Sequence, residues 1–233
     1  MIGSLGSLTL AVVLFVATHL VLSHLPVRAR LIAALGEAGF RASYAIVALV
    51  LLAWVIAAYQ NAPMVSVWSP PLGLQHLALT LMAIACLFLV AGYSTRNPTI
   101  LGADTATAIA RGPTGMFRIT RHPVMWAVAL WGIAHLLANG DAAGMILFGG
   151  LTILALGGAA HSDARRQRIL GASWSAYRDQ TSFVPFGAIA TRQTGFRFNE
   201  IGWVRLVGAL VLFALLLASH SWLFGVSPLP GVI

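Results

Sequence analysis

The sequence predicts an all-α, polytopic membrane protein: a transmembrane bundle of about six helices with both termini on the non-cytoplasmic side. Composition is the first reason. Of 233 residues, 59% are hydrophobic and 9% charged, against roughly 45–50% and about 25% in soluble domains. The second is that the apolar residues fall in six blocks, at about 5–25, 42–60, 73–94, 123–139, 141–160 and 201–224, each near the ~20 residues that cross a ~30 Å hydrocarbon layer. The third is charge. All fourteen basic residues are arginines, at 28, 30 and 41; 96, 111, 118 and 121; 165, 166, 168, 178, 192 and 197; and 205. The connections 61–72 and 139–140 carry none, so the positive-inside rule places the three arginine-bearing connections in the cytoplasm. Residues 1–233 read as one membrane domain.

Taken in order, the stretch 1–25 lacks a basic n-region and a small-residue cleavage site and is long enough to span, which makes it a retained helix. The connection 61–72 holds Pro63, Trp68, Pro70 and Pro71, a rigid turn with a tryptophan anchor at the outer interface. The third block contains Cys86, the single cysteine, which excludes a disulfide framework and zinc or iron–sulfur spacing and reads as packing. The fourth block is the shortest. After the fifth, residues 161–177 join an arginine run to Ile169, Leu170, Trp174 and Tyr177, the pattern of a helix that leaves the membrane and then lies along it against anionic lipid. The formal charge of +8 therefore reports topology and lipid contact rather than nucleic-acid binding.

Seven histidines stand out, because imidazole inside a span is costly and points to function. His19 lies in the first helix, His76 near the outer end of the third and His135 near the outer end of the fourth, while His24 and His220 sit near helix ends and read as structural. His122 and His161 fall on the cytoplasmic side. Neutral imidazole suits iron, copper and zinc, and two imidazoles facing each other across a bundle can hold a haem iron. At 1.5 Å per residue, His76 is about 5 Å, His135 about 6 Å and His19 roughly 21 Å from the outer boundary. Depth therefore pairs His76 with His135. The six Asp and Glu residues are all expected in loops or at helix ends, which argues against a carboxylate metal cage or an intramembrane proton relay.

Arg118, Arg121 and His122 stand at the start of the fourth helix, where backbone N–H groups and the helix dipole favour an anion: haem propionate, lipid phosphate or a cofactor carboxylate. Pro123 is also a good first-turn residue, so a purely structural helix start is the alternative. The surrounding stretch, GPTGMFRITRHPVMWAVALWGIAHLLANGD at 112–141, together with THL at 18–20 and QHLALTLM at 75–82, resembles the NnrU family of bacterial membrane proteins over essentially the whole chain. The same stretch is similar to the zeta-carotene isomerases of plants and cyanobacteria, which share the Arg-His-Pro and a histidine thirteen residues on, here His122 and His135.

The resemblance implies haem b with His135 as an axial ligand and His19 as its partner, where depth alone prefers His76; both partners stay open. It also implies a bacterial inner-membrane location, an association with denitrification and nitric oxide metabolism, and redox-dependent cis–trans isomerisation of a polyene, a lipophilic small molecule. A haem sensor or electron-transfer module is the alternative of a different class. A more distant likeness joins Arg-His-Pro and HSDARRQRILGASWSAYRDQTSFVPF at 161–186 to isoprenylcysteine and phospholipid methyltransferases. Those enzymes carry acidic residues where this chain has His161, Ser162 and Asp163, so imidazole replaces a carboxylate in the S-adenosylmethionine site they imply, and a shared scaffold with changed chemistry follows.

Overall fold

The computed structural model describes residues 3–95, 98–99 and 105–231; Arg96 lies outside them. In chain order the helices are α1 (Leu5–Ser23), α2 (Leu25–Gln60), α3 (Leu72–Ser94), α4 (Thr105–Ala110), α5 (Met116–Ile119), α6 (Pro123–Ala138), α7 (Ala142–Leu170), α8 (Ala172–Arg178), α9 (Gly187–Ala190) and α10 (Trp203–Phe224). Among the described residues the only β pairing is an isolated antiparallel bridge between Ser66 and Asp141. The protein is all-α.

Among the described residues five helices, α1, α2, α3, α7 and α10, are long and apolar enough to cross a membrane. The sixth, α6, has 16 residues, about 24 Å at 1.5 Å per residue, shorter than the hydrocarbon layer. Six full spans are thus corrected to five and a short apolar helix. Pro123 fixes the start of α6, and Asn139 ends it in extended geometry (φ −97°, ψ 130°). Asp141 then caps α7 by accepting from the Gly144 amide at 2.7 Å, leaving no room for another turn.

Two further expectations change. α2 starts at Leu25 rather than near 42, with proline in its first turn, and bends at Gly36, whose φ of 71° and ψ of 166° interrupt the helical backbone. α7 does continue beyond the apolar block, to Leu170, where Gly171 (φ 51°) breaks it. Yet Trp174 and Tyr177 on α8 are 0% and 2% exposed. These two rings are buried in protein and are not part of a lipid-facing surface as the sequence suggested, whereas Ile169 is 68% exposed.

The long helices form a row in the order α2, α1, α7, α6, α3, α10. Its two flanking members carry exposed apolar side chains, among them Ile46, Leu49 and Val50 on α2 and Leu210 and Leu215 on α10, as lipid contact requires. Small residues allow close crossings inside the row. At Gly132 a Cβ would overlap the Thr152 hydroxyl and lie 3.0 Å from the Phe148 carbonyl oxygen, so α6 and α7 meet there nearly backbone to backbone. Gly150 faces Val12, and Gly157 faces Leu20, setting α1 alongside α7 in the same direction. Gly92 abuts Pro123 and Val124, setting α3 antiparallel to α6.

Among the described residues, one end of the row is free of arginine. There the amides of Val67 and Trp68 donate to the Gly140 carbonyl at 2.7 and 3.1 Å, and the Ala142 amide to Val65 at 2.9 Å, pinning the two arginine-free connections together. The Gly231 amide donates to Gln75 at 2.9 Å, and Gly3 lies beside the Asn61 carbonyl. Both ends of the described chain therefore sit at this arginine-free end. The opposite, arginine-rich end carries α4, α5, α8 and α9.

Candidate functional site

At the arginine-rich end the predicted cluster is a closed network. Pro123 disfavours helical geometry at the preceding residue, and His122 takes φ −123°, ψ 55°, turning its ring inward to 1% exposure. The segment after α8 holds this turn in place: the Arg121 amide donates to Ser182 at 3.0 Å, Thr120 Oγ1 to Phe183 at 2.7 Å, and Trp126 Nε1 to Phe183 at 2.8 Å. Asp163 on α7 then receives two partners. Arg121 Nε donates to Oδ2 at 2.8 Å and Nη2 lies 2.7 Å from the same oxygen, while His122 Nε2 donates to Oδ1 at 2.6 Å.

Burial is the dominant influence on His122 and lowers its pKa, outweighing the neighbouring carboxylate. A neutral imidazole that donates through Nε2 has an unprotonated Nδ1, and among the described residues that buried atom meets no hydrogen-bond partner. Arg118 is held likewise. Its Nε and Nη2 donate to Glu200 at 2.7 and 3.2 Å, Nη1 donates to Thr194 at 2.8 Å, and the Gly115 amide adds a bond to Glu200 at 2.9 Å. Hydrogen bonding from Arg118 is the chief reason that the Glu200 carboxyl sits below its usual pKa. Arg118 and Arg121 each hold a carboxylate already, so neither offers the uncompensated charge an added anion would need. Beside Arg121 a polar cleft of about 360 Å³ opens among Ser175, Arg178, Asp179, Thr181 and Gln193.

Asp163 corrects the expectation that every acidic residue lies in a loop or at a helix end: it falls inside α7, on the part that projects past the apolar block. Sequence reading noted it only as a departure from an acidic pattern.

At the arginine-free end the histidines sort differently. His135, three residues before the end of α6, sets its Nδ1 2.8 Å from the Trp131 carbonyl. A carbonyl only accepts, so Nδ1 carries the proton and Nε2 keeps a free lone pair. The ring stacks on Phe148 at 4.4 Å, with Trp131 at 5.0 Å. Near it is His220 of α10, with ring centres 6.5 Å apart and planes 28° from parallel.

Neither expected partner is brought to His135. His19 also bonds its own helix, Nδ1 to Phe15 at 2.7 Å, and packs on Phe15 and Tyr44. It stands on α1, across α7 from α6. Leu20 meets Gly157, nine residues on from Phe148 against His135, so His19 lies about 12 Å deeper. His76 is not level with His135. From the contact of Gly92 with Pro123, the residue opposite His135 is near Thr80, which leaves His76 about one turn, or roughly 6 Å, further out. Its ring is exposed, with Nδ1 2.8 Å from the Leu72 carbonyl. The error came from treating ragged helix ends as one plane. His220 was read as structural, although its ring lies 6.5 Å from that of His135; which helices are neighbours was not visible in the sequence.

Comparison with known proteins gives the chain relatives. Over 96 residues it is 33% identical to the chloroplastic 15-cis-zeta-carotene isomerase of Zea mays, covering 41% of this chain and 26% of the relative. With the Arabidopsis thaliana protein of the same name it shares 37% identity over 76 residues, 33% of this chain and 21% of the relative. The match thus spans about a quarter or less of these relatives' own length. No solved structure matches. The NnrU protein family matches residues 7–228, a stretch that takes in the whole helix row and both histidine-bearing ends, and the chain belongs to that family.

Proposed function

We propose that this protein is a haem b-binding isomerase of the membrane, acting on the cis–trans geometry of a lipophilic polyene, with His135 as an iron ligand. The observation that carries the reading is the His135 imidazole: its tautomer is fixed by the Trp131 carbonyl at 2.8 Å, its Nε2 is left free, and its ring is half-buried against Phe148 and Trp131. An orienting hydrogen bond on the far nitrogen is how ligating histidines are set in metal sites. The names of the two plant relatives supply the substrate class.

Haem supplies, when bound, an iron whose redox state and axial positions can be switched. The chain's own part is positional. Trp131 and Phe148 pack against the His135 ring, and the bond to the Trp131 carbonyl prevents the ring from turning its lone pair toward its own helix. Helices that expose apolar side chains along their length put the site within reach of a substrate dissolved in lipid. Interconversion of cis and trans isomers about a carbon–carbon double bond transfers no proton to or from the substrate overall, in keeping with the aromatic surroundings of His135.

The methyltransferase alternative would draw on Arg121 and His122, and both are engaged by Asp163. The test is direct: haem-loaded protein in detergent, oxidised or dithionite-reduced, is incubated in the dark with 15-cis-zeta-carotene and the isomers are separated by chromatography. Conversion in one redox state, lost in His135→Ala, is expected. No conversion in either state by protein shown to carry haem refutes the isomerase reading.

A further inference from the structure

We propose that a cavity between α1, α2 and α7 at the arginine-rich end binds one anionic glycerophospholipid, its phosphate held among His24, His161, Arg28 and Arg165. These three helices pack on one another. The cavity, about 330 Å³, is lined by Leu20, Val21, His24, Val27 and His161. Its level is that of a lipid head group: His24 and His161 stand where the apolar runs of α1 and α7 give out, with ring centres 6.1 Å apart. Leu20 and Val21 form the deeper wall on α1. Val21 is 53% exposed, so an acyl chain lying along α1 reaches the cavity over apolar surface.

Charge selects the head group. Arg28 and Arg165 each follow a cavity histidine by four residues, the spacing that shares a helix face, and their two charges are near enough to oppose each other. Among the described residues the one carboxylate paired here is Glu37, whose Oε1 is 3.7 Å from Arg28 and 2.8 Å from Arg41. No ion pair among the described residues reaches Arg165, which is partly buried. Two arginines thus share one carboxylate and a third has none, whereas Arg118 and Arg121 hold Glu200 and Asp163. A phosphate between Arg28 and Arg165 replaces repulsion by charge-assisted contacts. His161 is set for the same ligand. The Ser23 hydroxyl gives its hydrogen to the Leu20 carbonyl at 3.0 Å and accepts from His161 Nδ1 at 3.4 Å. That leaves Nε2, which a neighbouring phosphate favours in its protonated, donating form.

Other ligands fit less well. Two imidazoles are fewer than the three or four protein ligands of a bare zinc or copper ion, and the two arginines repel a cation. Free phosphate satisfies the charge but leaves Leu20, Val21 and Val27 uncovered, whereas an acyl chain buries them. Phosphatidylcholine carries the same phosphate but brings a second cation to the arginines, so preference for a net anionic lipid is the signature of the site.

The experiment is native mass spectrometry of the full-length protein in neutral detergent, titrated with phosphatidylglycerol or with phosphatidylcholine of the same chains. One phosphatidylglycerol is expected to bind about 10-fold more tightly than phosphatidylcholine, and Arg28→Gln and Arg165→Gln each to weaken it about 5-fold, the effect of one arginine near an anionic lipid. Arg165→Lys keeps the charge and is expected to stay within about 3-fold of wild type. Arg165 has no ion pair to lose, so Arg165→Gln is expected to unfold at the wild-type temperature in the absence of lipid. Arg30→Gln, at an exposed position two residues from Arg28 and so on another face, is expected to bind as wild type does. Excess inorganic phosphate is expected not to displace the lipid. Equal affinity for the two lipids, or wild-type affinity in both Arg28→Gln and Arg165→Gln, overturns the proposal. An equal loss in Arg30→Gln overturns it in favour of diffuse charge attraction, and displacement by inorganic phosphate in favour of a free-phosphate site.

Discussion

Replacing Asp163 by alanine removes the carboxylate shared by Arg121 and His122. The guanidinium would remain where it is, because its side chain is 8% exposed and Nη1 still donates to the Thr181 carbonyl at 3.1 Å, but its charge would have no counterion. His122, 1% exposed, would lose the acceptor of its Nε2–H at 2.6 Å. Breaking a buried ion pair by deleting one partner costs about 3–5 kcal/mol, a factor of at least ~100 in the folding equilibrium. Removing both partners costs less than the two separate losses together, because the stranded charge goes with Arg121. The assay is a double-mutant cycle over Arg121→Ala, Asp163→Ala and the double variant, by equilibrium unfolding in mixed detergent–SDS micelles followed by tryptophan fluorescence. We expect Asp163→Ala to lose about 3 kcal/mol or more and the cycle to show a coupling of about 1–3 kcal/mol. A loss below ~1 kcal/mol, or strictly additive energies, would show that the network does not hold the arginine-rich end together.

Other expectations follow from packing and charge. Gly132→Ala pushes a methyl group against the Phe148 backbone carbonyl and Thr152 and should cost about 1–3 kcal/mol by overpacking, whereas Gly149→Ala, with open space at its Cβ, should be neutral or stabilising by up to ~1 kcal/mol; the same unfolding assay separates them, and equal effects would sink the close crossing of α6 and α7. Glu200 is held below the ordinary carboxylate pKa by Arg118. Its contribution to stability is therefore complete above the unfolded-state value of ~4.3 and disappears as pH falls through the lower folded-state pKa. Thermal unfolding from pH 7 downward should show wild type more stable than Glu200→Gln at neutral pH and the two converging in acid; a gap that persists at the lowest pH would contradict the ion-pair account.

Legibility in the sequence divided along a physical line. Hydropathy locates a helix in its own span, and α1, α3, α6 and α10 begin and end within a few residues of their apolar blocks. It is blind to helix that carries charge, so the portion of α2 holding Arg28 and Arg30 was read as a loop. Alternation of arginine correctly placed the connections 61–72 and 139–140 at one end, where Val67, Trp68 and Gly140 bind each other. The site was harder, because it depends on lateral order. That α7 separates His19 from His135, and that α6 and α10 both pack on α3, follows from interhelical packing between residues far apart in the chain. Arg118, Arg121 and His122 were legible as a cluster from a single short motif, but their carboxylates, Glu200 and Asp163, lie 82 and 42 residues away from Arg118 and Arg121.

The central claim, that His135 holds haem iron, is tested most directly by the absorption spectrum of the protein purified after expression with sufficient haem, oxidised and then reduced with dithionite. The account predicts a Soret band that shifts on reduction in wild type and is lost or strongly altered in His135→Ala. A wild-type protein without a Soret band, or a His135→Ala variant whose oxidised and reduced spectra are both unchanged, would contradict it.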